Sequence, residues 1–308
     1  MAFPRFPEFK PLELSDRDTI RERLRSNPPL ISELTFTNLF MWLDHYRFEW
    51  SLFQNWLMLL SRPAGGEPYF LQPVGPKPRR DAVCTALEWL RERENVSRPR
   101  IERADAEVLS EMEGTERIAF EAQREHFDYV YQAQDLIRLS GRKYHDRKNH
   151  VNRFIRKTQF AYVPFSSAHA GPCLDVIEKW CDQRECKKYP VLLAETNAVK
   201  RAIAHFDDLF IQGGVVLVEG RIEAFTLGEM LNADTAVIHA EKADPDIPGL
   251  FAVINQQFCE HQWAHVPFIN REQDLGLAGL RRAKLSYNPV RFVEKHRITL
   301  ESGRIPSI

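Results

Sequence analysis

An α+β fold in two domains is what this sequence predicts, on three observations. The chain has 308 residues, about twice the roughly 150 that one domain takes. Its 44% hydrophobic and 28% charged residues, with 42 Lys+Arg against 43 Asp+Glu, suit a globular protein with a proper core and exclude a disordered or fibrous chain. The second half orders its elements as helix, helix, three strands, helix, strand, helix, strand, which is an antiparallel meander running into a crossover connection. The longest apolar stretches, such as Leu57 to Leu60 and Val215 to Val218, fall far short of the roughly 18 to 20 residues that cross a bilayer. No transmembrane segment is expected.

From the N-terminus, Ser15 precedes a helical run at 16–27 that the Pro28-Pro29 pair closes. Residues 37–44 form a short aromatic-rich segment. Residues 46–50 alternate, 54–60 follow, and Gly65-Gly66 turns the chain into 69–73, so a hairpin is expected. In 81–94 the spacing of Val83, Leu87 and Leu90 gives one apolar helix face. Helices are expected at 173–186 and 195–206, the latter with Ala198, Ala202 and Phe206 one turn apart. Strands at 214–219, 221–230 and 235–241 are separated by the turn signals Glu219-Gly220-Arg221 and Asn232-Ala233-Asp234. A helix at 249–263, a strand at 266–270, a helix at 277–285 and a strand at 290–296 complete the order.

Five cysteines, Cys84, Cys173, Cys181, Cys186 and Cys259, form an odd set without a CxxC pair. Free thiols are expected rather than a disulfide framework or a four-cysteine zinc site. His261 and His265 lack the Glu of an HExxH motif and a third ligand, so no metal is expected. The segment MAFPRFPEFKP has no apolar run of the secretory kind, and the expected location is the cytoplasm, with peripheral contact at a membrane left open.

Charge is unevenly spread. Residues 131–160 carry eight Lys/Arg against two Asp, while 1–130 and 161–308 have acidic excesses of four and three. Local positive charge of this kind favours phosphate-bearing partners; the alternative is a solvated helix face joining two domains. The expected division is an N-terminal domain at 1–135, a basic interdomain helix or hinge at 136–160, and a C-terminal domain at 161–308.

The element order resembles the GNAT acyltransferase fold. Two stretches narrow the likeness: LSGRKYHDRKNHVNRF at 139–154 and NREQDLGLAGLRRAK at 270–284. Both are similar to a bacterial family grouped with the C-terminal domain of phosphatidylglycerol lysyltransferase, whose members resemble the Fem peptidyltransferases. That resemblance covers nearly the whole chain. It implies two GNAT-like domains in tandem, each a mixed, mainly antiparallel sheet flanked by helices, and aminoacyl-tRNA as acyl donor. A GNAT enzyme that uses acetyl-CoA holds the pyrophosphate on a Gly-rich turn at a helix N-terminus. The matching stretch here, residues 241–249, has one glycine and the acidic Glu241, Asp244 and Asp246, which would repel that anion and weaken the acyl-CoA reading.

The candidate catalytic residues lie in the second stretch. Glu272 and Asp274 fall in a loop after an apolar strand, and Arg281 and Lys284 stand one turn apart on the next helix. Attack on an ester or thioester needs a group to take a proton and a cation or N–H dipole to hold the oxyanion. A carboxylate would do the first, Lys284 or Arg281 the second; Lys284 is expected to be charged, and its loss to leave stability almost unchanged. The resemblance also implies a lysine near the acyl group, which Lys284 matches. A surface salt-bridge pair is the alternative. Glu229, His239, Glu241 and Asn270 are candidate substrate-binding residues at strand ends. Lys143, Arg147, Lys148 and Arg153 are candidates for phosphate, with Lys143, Arg147 and His150 on one face if the segment is helical and Val151, Phe154 and Ile155 buried if it is structural.

Three functions stay open from the sequence. One is acyl or aminoacyl transfer to an amine or hydroxyl on a small-molecule acceptor. Another is a catalytically silent protein that binds tRNA or an anionic lipid headgroup. The third is acetyl-CoA-dependent N-acetyl transfer.

Overall fold

The computed structural model describes residues 3–301. In chain order its strands are β1 (Lys10–Pro11), β2 (Phe48–Phe53), β3 (Trp56–Ser61), β4 (Tyr69–Leu71), β5 (Arg100–Ala104), β6 (Ile118–Ala122), β7 (Asp128–Gln132), β8 (Phe160–Pro164), β9 (Gln212–Val218), β10 (Arg221–Met230), β11 (Thr235–Ala243), β12 (Phe268–Asn270), β13 (Arg291–Val293) and β14 (His296–Leu300). Its helices are α1 (Arg17–Ser26), α2 (Phe36–Met41), α3 (Leu43–Tyr46), α4 (Arg80–Glu92), α5 (Ala106–Glu111), α6 (Ala133–Arg138), α7 (His145–Lys157), α8 (Ala170–Gln183), α9 (Pro190–Ala204), α10 (Phe206–Leu209), α11 (Leu250–Gln262) and α12 (Ala278–Leu285).

The strands form two seven-stranded sheets, in the orders β1-β2-β3-β4-β5-β14-β6 and β13-β7-β12-β11-β10-β9-β8. The meanders β2-β3-β4 and β9-β10-β11 are antiparallel. Each sheet contains one parallel pair, β4 with β5 and β11 with β12, and parallel neighbours need a crossover helix between them. That helix is α4 in the first sheet and α11 in the second. The α+β class, the meander and the crossover are as the periodicity predicts.

Contacts divide the chain into two compact units, Met1–Phe127 with Val293–Ile308, and Asp128–Phe292. This differs from the expected limits of 135 and 160, because strand pairing and not composition sets the boundary. β7 lies against β12, so the second unit begins at 128, and the basic segment belongs inside it. The expected last strand is in fact two: β13 joins the second sheet, and β14 inserts between β5 and β6 of the first.

In the first unit Val83, Leu87 and Leu90 of α4 pack with Phe70, Ile101 and Ile298, each fully buried. Burying each such side chain contributes about 1.5–3 kcal/mol. In the second, Val151 and Phe154 of α7 join Tyr129, Tyr131, Phe258 and Ile269; Ile155, expected with them, is 47% exposed. Cys181 and Cys186 are joined in a disulfide, so free thiols are found only at Cys84, Cys173 and Cys259.

Candidate functional site

β11 runs nine residues but pairs with β12 only through Thr235↔Phe268, Ala236↔Ile269 and Val237↔Asn270. Beyond that point the strands part. The chain after β12 stays with β7, where Arg271 N–H donates to the Tyr129 carbonyl at 2.9 Å. On the other side of β11 the register with β10 shifts between Leu227↔Ala240 and Gly228↔Ile238, leaving His239 as the extra residue of a bulge, a device that re-aims a side chain. Gly228 permits it, since a Cβ there would come within 2.5 Å of the Val237 carbonyl.

Side chains bridge the splay twice. His239, with no side-chain exposure, stands between Glu272, 2.8 Å from Nδ1, and Glu229, 3.1 Å from Nε2. Burial alone would lower its pKa, but the two carboxylates outweigh that and raise it to about 9, so an imidazolium donates to both. Burial pushes the Glu272 carboxyl up, against the pull of His239. The second bridge is Arg271 to Glu241, with Nη2 2.7 Å and Nε 3.0 Å from one oxygen, Oε2. Burial disfavours the guanidinium, yet Glu241 together with Tyr131, Tyr287 and Cys259 more than offsets it. Arg271 also lies over the rings of Tyr287 at 4.8 Å and Tyr131 at 5.7 Å. Glu241 Oε1 and Arg271 Nη1 are both buried without a hydrogen-bond partner among the described residues.

The other candidates of the second stretch hold the loop between β12 and α12. Asn270 is fully buried; its amide donates to Asp128 at 3.0 Å and its oxygen accepts from Glu272 N–H at 2.8 Å. That turn holds Glu272 in the left-handed region, φ 54°, which few residues other than glycine adopt without such support. Asp274 accepts from Tyr129 Oη at 2.6 Å, Arg281 Nε at 2.7 Å and Gly276 N–H at 2.9 Å. Burial opposes its charge, but these partners win and keep its pKa low.

Lys284 departs most from its expected character. It is 8% exposed, and Nζ donates to the carbonyls of Arg271, Glu272 at 3.1 Å and Gln273 at 2.6 Å. Its three N–H groups are thereby used. Desolvation first, and Arg271 second, pull its pKa down to about 8, and a lysine whose loss was expected to leave stability almost unchanged is instead a buried clamp on the loop that carries Arg271 and Glu272. The arrangement brings together Glu229, His239, Glu241, Asn270, Glu272 and Lys284. Asp274 and Arg281 form a separate anchor beneath the same loop. Arg271 was not singled out from the sequence although it adjoins Glu272, because only the fold reveals Glu241 as its partner.

The turn into α11 uses several of its own N–H groups internally. Asp246 N–H donates to Asp244 Oδ1 at 2.9 Å, and the N–H groups of Ile247 and Leu250 go to the carbonyls of Asp244 and Ile247. Asp244 and Asp246 are both paired with Lys179, and Gly249 approaches the His150 carbonyl so closely that a Cβ would stand 2.9 Å from it. Of the phosphate candidates, Lys148 and Arg153 are exposed on α7. Lys143 lies in the 3-10 turn before that helix and pairs with Asp135 at 3.3 Å, so it does not share a helix face with Arg147 and His150. Arg147 is over the Tyr287 ring at 5.1 Å. Among the described residues no helix is long and apolar enough to cross a membrane.

The family model described as phosphatidylglycerol lysyltransferase, C-terminal, matches residues 26–299. No curated protein matches the sequence. Among solved structures, a conserved protein of unknown function from Bacteroides thetaiotaomicron VPI-5482 is 31% identical, with 97% of this chain and 100% of that one covered and a TM-score of 0.89. L-PGS from Bacillus licheniformis is 14% identical over 99% and 96% of the two chains, TM-score 0.64. A tandem GNAT protein from the clavulanic acid biosynthesis pathway is 10% identical over 98% and 99%, TM-score 0.50. The two mixed sheets flanked by helices are thus a tandem GNAT-like fold.

Proposed function

Because this chain belongs to the phosphatidylglycerol lysyltransferase C-terminal family, we propose that it transfers an acyl or aminoacyl group to an amine or hydroxyl acceptor, with aminoacyl-tRNA as donor. The observation that carries the reading is an unpartnered donor, Arg271 Nη1, and an unpartnered acceptor, Glu241 Oε1, both on the buried ion pair at the strand splay. An N–H held in a buried site suits the carbonyl oxygen of an ester as attack makes it negative. An open carboxylate oxygen suits the proton that the attacking amine or hydroxyl must lose. The ester C–O bond breaks, and the ribose hydroxyl leaves with a proton.

Four carboxylates, Asp128, Glu229, Glu241 and Glu272, stand with three cations, His239, Arg271 and Lys284. His239 holds Glu229 and Glu272; Asn270 and Lys284 position the loop, with Asp274 and Arg281 beneath it. The self-satisfied turn before α11 supports a donor other than an acyl-CoA, and exposed Lys148 and Arg153 offer charge to tRNA or anionic phospholipid phosphates.

Binding without turnover is favoured by one observation, the full use of the Lys284 N–H groups within the loop. Incubation with total aminoacyl-tRNA and a panel of amine and hydroxyl acceptors separates the readings. Acceptor-dependent loss of the aminoacyl ester is expected. Retention of the ester on bound tRNA would leave the silent reading, and low-micromolar binding of acetyl-CoA by calorimetry would contradict the donor assignment.

A further inference from the structure

Cys181 lies in the last turn of α8, and Cys186 opens a 3-10 turn, Cys186–Lys188, that leads into α9. Their Cα atoms are 5.1 Å apart, and their sulfurs are joined. Thr196 of α9 brings its hydroxyl to 3.5 Å from Cys181 Sγ and 3.9 Å from Cys186 Sγ. Cys186 is 1% exposed while Cys181 is part-exposed, so an external thiolate meets Cys181 first.

The residues next to the pair hold one buried cation. Trp180 presents its ring 3.6 Å from Lys242 Nζ, and Glu195, one residue before Thr196, accepts from the same nitrogen at 2.8 Å. Lys242 is 3% exposed and adjoins Glu241 on β11. Lys179 meanwhile pairs with Asp244 just beyond β11. The disulfide therefore closes the junction of two helices that grip β11 at the residue after Glu241.

We propose that Cys181 and Cys186 form a thiol–disulfide switch that locks the α8–α9 junction onto Lys242 when oxidised and loosens it when reduced. A small disulfide such as oxidised glutathione is the oxidant. One cysteine thiolate attacks it, forming a mixed disulfide and releasing one glutathione thiolate; the second cysteine thiolate then displaces the other. Two protein thiols are oxidised, one glutathione disulfide is reduced to two thiols, and dithiothreitol runs the exchange backwards. The existence of the switch is independent of the transferase reading; its effect on turnover rests on that reading.

Thiol counting and hydrogen exchange on the full chain test this without an activity assay. After treatment with oxidised glutathione and unfolding, three thiols are expected to alkylate, and five after dithiothreitol. Reduction is expected to quicken amide exchange across 184–196 by about tenfold or more, the scale set by opening a short disulfide loop, with β9 and β10 unchanged. Cys181→Ser is expected to match the reduced wild type under both conditions. Five alkylating thiols after oxidation would overturn the proposal, and so would a three-to-five change that leaves exchange at 184–196 unaltered.

Discussion

With a carboxylate at each ring nitrogen, His239 remains an imidazolium up to about pH 9, whereas a histidine in the unfolded chain loses its proton near 6.5. Its folded pKa is raised, so its contribution to stability is fully present below about pH 6.5 and is lost as pH climbs through 9. The difference amounts to roughly 3 kcal/mol. His239→Ala leaves Glu229 and Glu272 facing each other in a buried site and is expected to cost about 3–5 kcal/mol at pH 7. Urea unfolding at a series of pH values checks both, because the gap between wild type and variant should narrow above pH 9. Lys284→Ala strips three buried carbonyls of their donor and is expected to cost at least about 2 kcal/mol; a stability unchanged in thermal unfolding would refute the clamp. Both residues, with Glu272, are visible in the sequence as chemistry-bearing side chains. Their partners were not legible, since His239 meets Glu272 only because a bulge and an Asn270 turn bring positions far apart in the chain to 2.8 Å.

At the level of elements, α4 stands where its apolar spacing puts it, α1 where its start and stop signals do, α11 close to its expected 249–263, and the strands β9 to β11 where strong turn signals separate them. The short strands β5, β6 and β7 have no such marks and went unforeseen. β7, with Tyr129 to Tyr131 fully buried, owes its place to pairing with β12, which its own residues do not announce. For α7 the predicted face of Lys143, Arg147 and His150 fails because the α-helix begins at His145, after a 3-10 turn. Its exposed cations are instead Lys148 and Arg153 among others. If they contact phosphates of a tRNA, replacing both with Ala should reduce the slope of log affinity against log salt by roughly two, since about 0.9 counterion is released per contact. Fluorescence anisotropy with labelled tRNA at several salt concentrations reads this slope, and an unchanged slope would remove α7 from the binding surface.

Across the whole molecule the two sheets follow one plan. Each has a meander, a crossover helix into a parallel strand, and a strand inserted beside that one from a distant part of the chain: β14 next to β5, and β7 next to β12. This exchange hid the domain limits in the sequence, because the pairing of Ile298 with Ile101 leaves no local pattern. It also means that a chain ending after Val293 loses the strand between β5 and β6, together with Lys295, which donates to Glu33 at 2.5 Å in the first unit. Such a chain is expected to leave the first unit unfolded, seen as protease cleavage confined to residues 1–127. In the proposed reaction Arg271 and Glu241 act on an aminoacyl ester at the splay of β11 and β12. Single-turnover transfer from aminoacyl-tRNA, with folding checked by circular dichroism, tests it most directly. Arg271→Lys and Glu241→Gln are expected to slow the chemical step by about a hundredfold or more, as removal of one oxyanion donor does elsewhere, while tRNA still binds. Transfer at the wild-type rate by both folded variants would contradict it.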